Sequence, residues 1–345
     1  MKKKVGIIGA TGYAGAELVR LVTLHSEVEL AAISSVSFEG KKLSDIYPSF
    51  RNICDMVCVS QDEAVKCSDI IFAGLPHGLS QSLAKQCRDE NKIFIDLGAD
   101  FRLVSEEDYA QWYDGKFDDK ELHENSVYAL PELFRGEISG DKVIANPGCY
   151  PTSIALGLAP SLKNGIVSTQ GIIIDSKSGV TGAGRGLSDT THYPVCNEAF
   201  SPYKVVCHRH TPEIEQTLSK VSGETVRVTF VPHLLPVNRG IISTIYAKLK
   251  AEISLSEIHA VYKNFYEGEK FVRVLDIGKT ANLRDVKFSN YCDISLHLDN
   301  RTGTLVIVST IDNMVKGAAG QAVQNMNIAL GIDEKTGLDY IPPAF

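Results

Sequence analysis

Lys4-Val5-Gly6-Ile7-Ile8-Gly9-Ala10-Thr11-Gly12-Tyr13-Ala14-Gly15-Ala16-Glu17-Leu18 decides the fold. The run over residues 4–8 has the apolar texture of a strand buried on both faces, and the glycines at 9, 12 and 15 turn it into a helix expected over residues 16–24. Strand, glycine-rich turn and helix in that order let the backbone approach a pyrophosphate held at the helix N-terminus. The spacing is Gly-x-x-Gly-x-x-Gly rather than Gly-x-Gly-x-x-Gly, so the flanking elements carry as much of the reading as the glycines.

Working outward, a second strand over residues 28–33 ends at Ser34-Ser35 instead of an acidic residue. An acid there accepts the ribose 2′-hydroxyl of NAD and repels a 2′-phosphate; two hydroxyls with Lys41 and Lys42 nearby predict NADP. Glu29 falls at the start of that strand, on the wrong edge of the sheet. Further strands over 69–73, 92–96 and 142–145 alternate with helical stretches such as 79–88, the rhythm of a doubly wound parallel sheet. Ligands of such sheets bind at the carboxyl ends of the strands, so the expected cofactor contacts are Gly9, Thr11, Gly12, Tyr13, Ala14, Gly15, Ser34, Ser35, Gly74 and Pro76.

A third turn of the same edge reads Asn146-Pro147-Gly148-Cys149-Tyr150-Pro151-Thr152 and leads into an apolar helical stretch. A helix N-terminus supplies unpaired N–H donors and partial positive charge, which favour thiolate over thiol. Moving a thiol pKa from about 8.5 to about 7 takes only ~2 kcal/mol. Most cysteines are small buried hydrophobes, but the flanking prolines and glycine predict an exposed strand-to-helix turn and make Cys149 a candidate nucleophile.

The second half changes texture. Alternating or β-branched runs over 225–231, 240–249, 271–275, 291–298 and 304–310 predict a mixed, largely antiparallel sheet with helices on one face. A polar glycine-rich loop over 176–185 is expected directly after a strand at 172–174, and His208-Arg209-His210 precedes a further helix. Two histidines within three positions beside an arginine, in a chain that already has a candidate thiolate, predict acid/base chemistry. Asp312 is expected to cap a closing helix over 313–330. The length of 345 residues implies two domains, 1–148 for NADP and 149–312 for catalysis and oligomerisation, with helix 313–330 packing back on the first.

The formal net charge of −7 and the lack of any basic run beyond Lys2-Lys3-Lys4 exclude nucleic-acid binding from the expectations. The apolar segment after those lysines is too short for an export signal or a membrane span, and a cytoplasmic location is expected. Eight scattered cysteines without a CxxC pair are expected to stay reduced, and no zinc-type second cluster accompanies Cys207-His208-Arg209-His210, so no metal is expected.

Five motifs, Gly9 to Gly15, Asn146 to Thr152, Gly179-Val180-Thr181-Gly182-Ala183-Gly184-Arg185, His208 to Ile214 and Pro236-Val237-Asn238-Arg239-Gly240, together resemble the N-acetyl-gamma-glutamyl-phosphate reductases, of the aspartate-semialdehyde dehydrogenase-like superfamily. The resemblance runs over essentially the whole chain, including Asp312-Asn313-Met314-Val315-Lys316-Gly317. It implies NADPH-dependent reduction of N-acetyl-L-glutamyl 5-phosphate to the 5-semialdehyde and phosphate, a step of arginine biosynthesis, through a thioacyl group on Cys149. It further implies His210 as acid/base with His208 in reserve, and Arg102 as the phosphate-binding arginine. The other substrate contacts it implies are Asn146, Ser178, Thr181 and Arg185, with Ser178, Gly179 and Asn313 also expected to face the cofactor. Open alternatives are an aspartate-semialdehyde dehydrogenase, the reductase of the carrier-protein lysine pathway, or a non-catalytic NADP sensor. The expected partners are the small-molecule acyl phosphate, inorganic phosphate and a second copy of the chain in a dimer or tetramer, with neither nucleic acid nor membrane.

Overall fold

The computed structural model describes residues 2–345. The chain divides into two compact units, Met1–Pro147 with Ala318–Asp339, and Gly148–Gly317 with Tyr340–Phe345.

The first unit is a six-stranded sheet of β1 (Lys3–Ile8), β2 (Val28–Ser34), β3 (Ile70–Ala73), β4 (Ile93–Asp96), β5 (Ser126–Tyr128) and β6 (Val143–Ala145), in the order β2-β1-β3-β4-β6-β5. All its pairings are parallel. β1, β3 and β4 end in fully or nearly fully buried residues, as strands covered on both faces must. The chain winds from β1 outward to β2 and then crosses to β3, so the switch point of the sheet lies between β1 and β3. The helix after β1 is Tyr13–Thr23, one turn earlier than the expectation, because Gly12 already serves as its N-cap. Edge strand β5 was not expected: three residues are too short to show a period.

The second unit is a seven-stranded sheet of β7 (Ile172–Gly179), β8 (Ser201–Pro202), β9 (Val228–Leu235), β10 (Ile241–Lys248), β11 (Val272–Val274), β12 (Cys292–Asp299) and β13 (Thr304–Ile311), in the order β11-β12-β13-β10-β7-β9-β8. Pairing is parallel at β7–β9 and β11–β12 and antiparallel elsewhere. Helix Cys149–Lys163 lies on one face of this sheet, buried from Tyr150 through Leu162. Gly157 lets it come close, since a Cβ there would stand 3.2 Å from Ile245 Cδ1 and Ser309 Cβ. Beneath it runs a buried hydroxyl ladder: Ser176 and Ser153 both donate to Ser243 Oγ at 2.8 and 3.0 Å.

Two local expectations are corrected. Residues 176–179 are not loop but the end of β7, with 176–178 paired to 243–241 of β10; the Ser176 hydroxyl is satisfied across strands by Ser243 Oγ, and such polar residues are read as the end of a strand by an apolar-run criterion. The closing helix does not start at Asn313: a π-helical turn, Val315–Ala319, precedes an α-helix over Gly320–Ala329. Asp312 caps that turn, its Oδ1 accepting the N–H groups of Met314 (2.8 Å) and Val315 (3.1 Å).

Candidate active site

In the first unit the carboxyl ends of β1, β2 and β3 form a cradle. Gly9 has φ +82°, and a Cβ on it would run into the Gly74 carbonyl. A Cβ on Gly15 would run into the Gly9 carbonyl. Ser34 O accepts the N–H groups of Gly9 and Ala10, each at 3.0 Å. Helix Tyr13–Thr23 has no side-chain cap and no acid in its first turn, so the N–H groups there are left for an anion. A bare glycine floor at the switch point beside an uncapped helix start fits a dinucleotide pyrophosphate. Thr11, Ser34 and Ser35 are buried, and Thr11 Oγ1 bonds to Ser35 Oγ at 2.6 Å; Lys41 and Lys42 stand exposed beyond them. Tyr13, Ala14 and Pro76 line the outer side, Pro76 and Tyr13 exposed.

The loops after β3 and β4 are tied together by two buried carboxylates. Asp100 accepts Gly78 N–H (2.6 Å), Ser80 N–H (2.9 Å) and the Tyr109 hydroxyl (2.8 Å). Asp96 Oδ1 accepts the Ser80 hydroxyl (2.8 Å) and Gly98 N–H (2.9 Å). Burial, and then the charge of Asp100, push the Asp96 carboxyl up to about 6. Arg102 donates Nε to Asn146 O and Nη2 to Leu97 O, both at 2.8 Å, which fixes its guanidinium at the end of the sheet. Asn146 is itself buried, donating to Ala318 O (3.2 Å) and accepting from Asn325 Nδ2 (3.0 Å).

In the second unit Cys149 is the first residue of helix Cys149–Lys163, behind N-cap Gly148, and is partly exposed. The turn leading to it is buried rather than exposed as expected. The reason is Glu213, a fully buried carboxylate whose Oε1 accepts Gly148 N–H at 2.8 Å and holds the turn down. Glu213 sits in the first turn of helix Thr211–Ser222, whose N-cap is His210. Tyr150, next to Cys149, packs edge-on against the rings of His208 (5.4 Å) and His210 (6.0 Å). Its phenol is raised far above the usual range, first by burial and then by the neighbouring Tyr203. Burial, with Lys204 and Arg209 behind it, lowers His208 to about 4, and its Nδ1 accepts His210 N–H at 3.1 Å. His208 is therefore a neutral ring with one nitrogen already committed.

Ser178 and Asn313 are buried and Thr181 lies beside them: Asn313 Nδ2 donates to Thr181 Oγ1 (3.0 Å), and Asn313 Oδ1 accepts Gly240 N–H (2.7 Å). Gly179 is required by contact, since a Cβ on it would stand 2.6 Å from Asn238 O. Arg185 lies on the exposed segment beyond. The predicted residues are divided between the units: glycine cradle, Ser34, Ser35, Gly74, Arg102 and Asn146 lie in the first, and Cys149, Ser178, Gly179, Thr181, His208, His210 and Asn313 in the second. Glu213 was missed; an acid in the first turn of a helix reads as a complement to the helix dipole. Among the described residues no group of three or more His, Cys, Asp or Glu is arranged to hold a metal ion, and no helix is long and apolar enough to cross a membrane.

Comparison with known proteins defines the class first. Residues 4–140 match the semialdehyde dehydrogenase NAD binding domain, and residues 149–313 match the semialdehyde dehydrogenase dimerisation domain. The fold agrees: aspartate semialdehyde dehydrogenase II of Vibrio cholerae, complexed with ASA, superposes with TM-score 0.74 at 17% identity, covering 96% of this chain and 99% of that one. The enzyme of Candida albicans with NADP gives 0.71 at 15% identity, covering 95% and 98%. Within that class the sequence is far closer to one branch. It is 59% identical over 350 residues to the N-acetyl-gamma-glutamyl-phosphate reductase of Brachyspira hyodysenteriae, and 57% identical over 342 residues to that of Clostridium beijerinckii, each alignment covering 99% of both chains. The chain belongs to the N-acetyl-gamma-glutamyl-phosphate reductase family.

Proposed function

We propose that this chain reduces N-acetyl-L-glutamyl 5-phosphate to N-acetyl-L-glutamate 5-semialdehyde and inorganic phosphate. The observation that carries the reading is a partly exposed cysteine at the first position of a 15-residue helix. Donors and dipole there favour the thiolate. The Cys149 thiolate attacks the acyl carbon, the carbon–sulfur bond forming as the carbon–oxygen bond to phosphate breaks. Phosphate departs with that electron pair, and the acyl group is held as a thioester. NADPH, when bound, supplies the hydride that reduces this thioester, and cleavage of the carbon–sulfur bond then frees the semialdehyde and restores the thiolate.

His210 takes the thiol proton and shares it with the developing oxyanion. The low basicity and committed Nδ1 of His208 leave it the supporting member of the pair. Arg102 binds the departing phosphate, its fork already oriented by two carbonyls, while Asn146 supports that arginine through its own carbonyl. Ser178, Thr181 and Arg185 meet the substrate. Gly9, Thr11, Gly12, Tyr13, Ala14, Gly15, Gly74 and Pro76 hold the dinucleotide, with Ser178, Gly179 and Asn313 toward its nicotinamide end. NADP is the preferred form: Ser34 and Ser35 present no carboxylate to repel the 2′-phosphate, and Lys41 and Lys42 offer exposed cations. The protein acts in the cytoplasm as a homo-oligomer, its subunits joined through the open face of the second sheet, where Tyr246 and Ile173 stand exposed as register partners.

The test is phosphate-dependent reduction of NADP, followed at the nicotinamide absorbance, with N-acetylglutamate semialdehyde and with aspartate semialdehyde. The expected result is a kcat/KM at least about a hundredfold higher for the acetylated substrate. Equal values, or a preference for aspartate semialdehyde, overturn the assignment.

A further inference from the structure

The π-helical turn Val315–Ala319 is drawn directly by the bond from Gly317 N–H to the Asp312 carbonyl, five residues back, at 2.9 Å. One added residue per turn rotates each later side chain by about 100° around the axis, so the π geometry decides which residue faces inward. The segment is pinned ahead of the turn. Asp312, fully buried, accepts Met314 and Val315 N–H through Oδ1 and Phe288 N–H (2.7 Å) through Oδ2, while Asn313 bonds to Gly240 and Thr181.

What those anchors bring against the first residue of helix Cys149–Lys163 is Gly317. A Cβ at 317 would stand 2.8 Å from Cys149 Cβ, 3.3 Å from Cys149 Cα and 3.3 Å from Ile311 Cδ1. Carbon atoms in contact prefer about 3.5–4.0 Å, so one methyl group would force the turn and the helix start apart by several tenths of an ångström. Neither side yields easily, since the contacts are to a helix backbone atom and to the first atom of a side chain. Gly317 has no positive φ, so its backbone conformation does not demand glycine; proximity does.

We propose that Gly317 is a positioning residue for the nucleophile: the bare backbone of the π turn backs directly onto the Cα and Cβ of Cys149 and fixes where its sulfur stands over the helix N-terminus. The turn touches the base of the side chain and Cys149 keeps its partial exposure, so support and access coexist. The proposal rests on the reading of Cys149 as the attacking group. It makes the π turn part of the catalytic apparatus although no atom of Gly317 meets substrate.

The test is Gly317→Ala. The expected result is a fall of about tenfold or more in kcat/KM for N-acetylglutamate semialdehyde, with NADP affinity unchanged, because a displacement below 1 Å misdirects a nucleophile without touching the glycine cradle. The pH midpoint for carbamidomethylation of Cys149 by iodoacetamide, followed by mass spectrometry, should move upward as the sulfur leaves the helix N-terminus. A folded variant with both kcat/KM and the alkylation profile of the parent overturns the proposal. If the alanine lowers the melting temperature, Gly317→Ala is placed in a Cys149→Gly background, where the colliding Cβ is gone; the melting loss should largely vanish there, and an undiminished loss overturns the contact. Turnover retained by Cys149→Ser sinks the parent reading instead, while the alkylation and melting results still decide whether Gly317 sets the thiol.

Discussion

A thiol of ordinary pKa is only a few per cent ionised at pH 7, so a cysteine that attacks an acyl phosphate needs its surroundings arranged for it. At Cys149 they come from three directions: the start of a 15-residue helix, the aromatic and imidazole cluster around Tyr150, and Glu213 holding the turn through Gly148 N–H. Cys149→Ser replaces the sulfur with an oxygen that no helix end ionises at neutral pH. Turnover should fall by about a thousandfold or more while NADPH quenching of Trp fluorescence persists, and substantial residual turnover would rule out covalent capture. The two histidines then separate. His208, partly buried and flanked by Lys204 and Arg209, stays neutral above about pH 4, and its Nδ1 is engaged by the backbone of His210. His210→Asn should therefore cost about a hundredfold or more in kcat, and His208→Asn markedly less; equal losses in steady-state assays would reverse the division of labour.

At the scale of elements, the strongly periodic or apolar segments were legible and the polar joints between them were not. β1 with its glycine turn, and the Cys149 helix, announce themselves because burial on both faces demands unbroken apolar runs. The end of β7 hid because Ser176 and Ser178 are buried as hydroxyls, Ser176 donating to Ser243 Oγ and Ser178 to the Gly179 carbonyl, where an apolar strand would pack. The π turn hid because its extra residue answers a contact with Cys149, which is 168 residues away in sequence by subtraction of 149 from 317. Asp96 at the end of β4 and Asp100 in the loop after it carry no signal of their own in the sequence, although each caps backbone or hydroxyl groups of the loop after β3. Asp96 Oδ2 has no hydrogen-bond partner among the described residues, and burial with the charge of Asp100 raises its carboxyl to about 6. A carboxyl whose folded pKa lies above its unfolded value of about 3.9 binds its proton more tightly when folded. Its contribution is thus fully present at low pH and is lost as pH rises from about 4 through about 6. In Asp96→Asn that titration is absent. Urea melts should show the parent losing about 2 kcal/mol relative to the variant between about pH 4.5 and pH 7. A pH-independent difference between the two would show that the carboxyl ionises as in the unfolded chain.

On the scale of the whole molecule, the second sheet poses the remaining problem. Its covered face is built from Ile172, Ile174, Ile245 and Ile307 under helix Cys149–Lys163, all fully buried. The opposite face alternates with it and carries Ile173 on β7 directly across from Tyr246 on β10, with Val306 of β13 as the next register partner. Ile173 is 49% and Tyr246 38% exposed, an uneconomical arrangement for a lone chain but the expected one for a face closed by a second copy. In a two-fold interface each residue of this face is counted twice, so one added charge becomes two buried, unpaired charges. Tyr246→Asp should convert the proposed oligomer to monomer in sedimentation velocity at micromolar concentration, whereas Glu252→Gln, at an exposed position beyond the strand, should leave the mass unchanged. Because the strands carrying this face also carry Ser176 and Ser243 beneath helix Cys149–Lys163, the monomer should lose activity as well as mass. A Tyr246→Asp protein that keeps the parent's sedimentation coefficient would overturn the proposed subunit contact through this face.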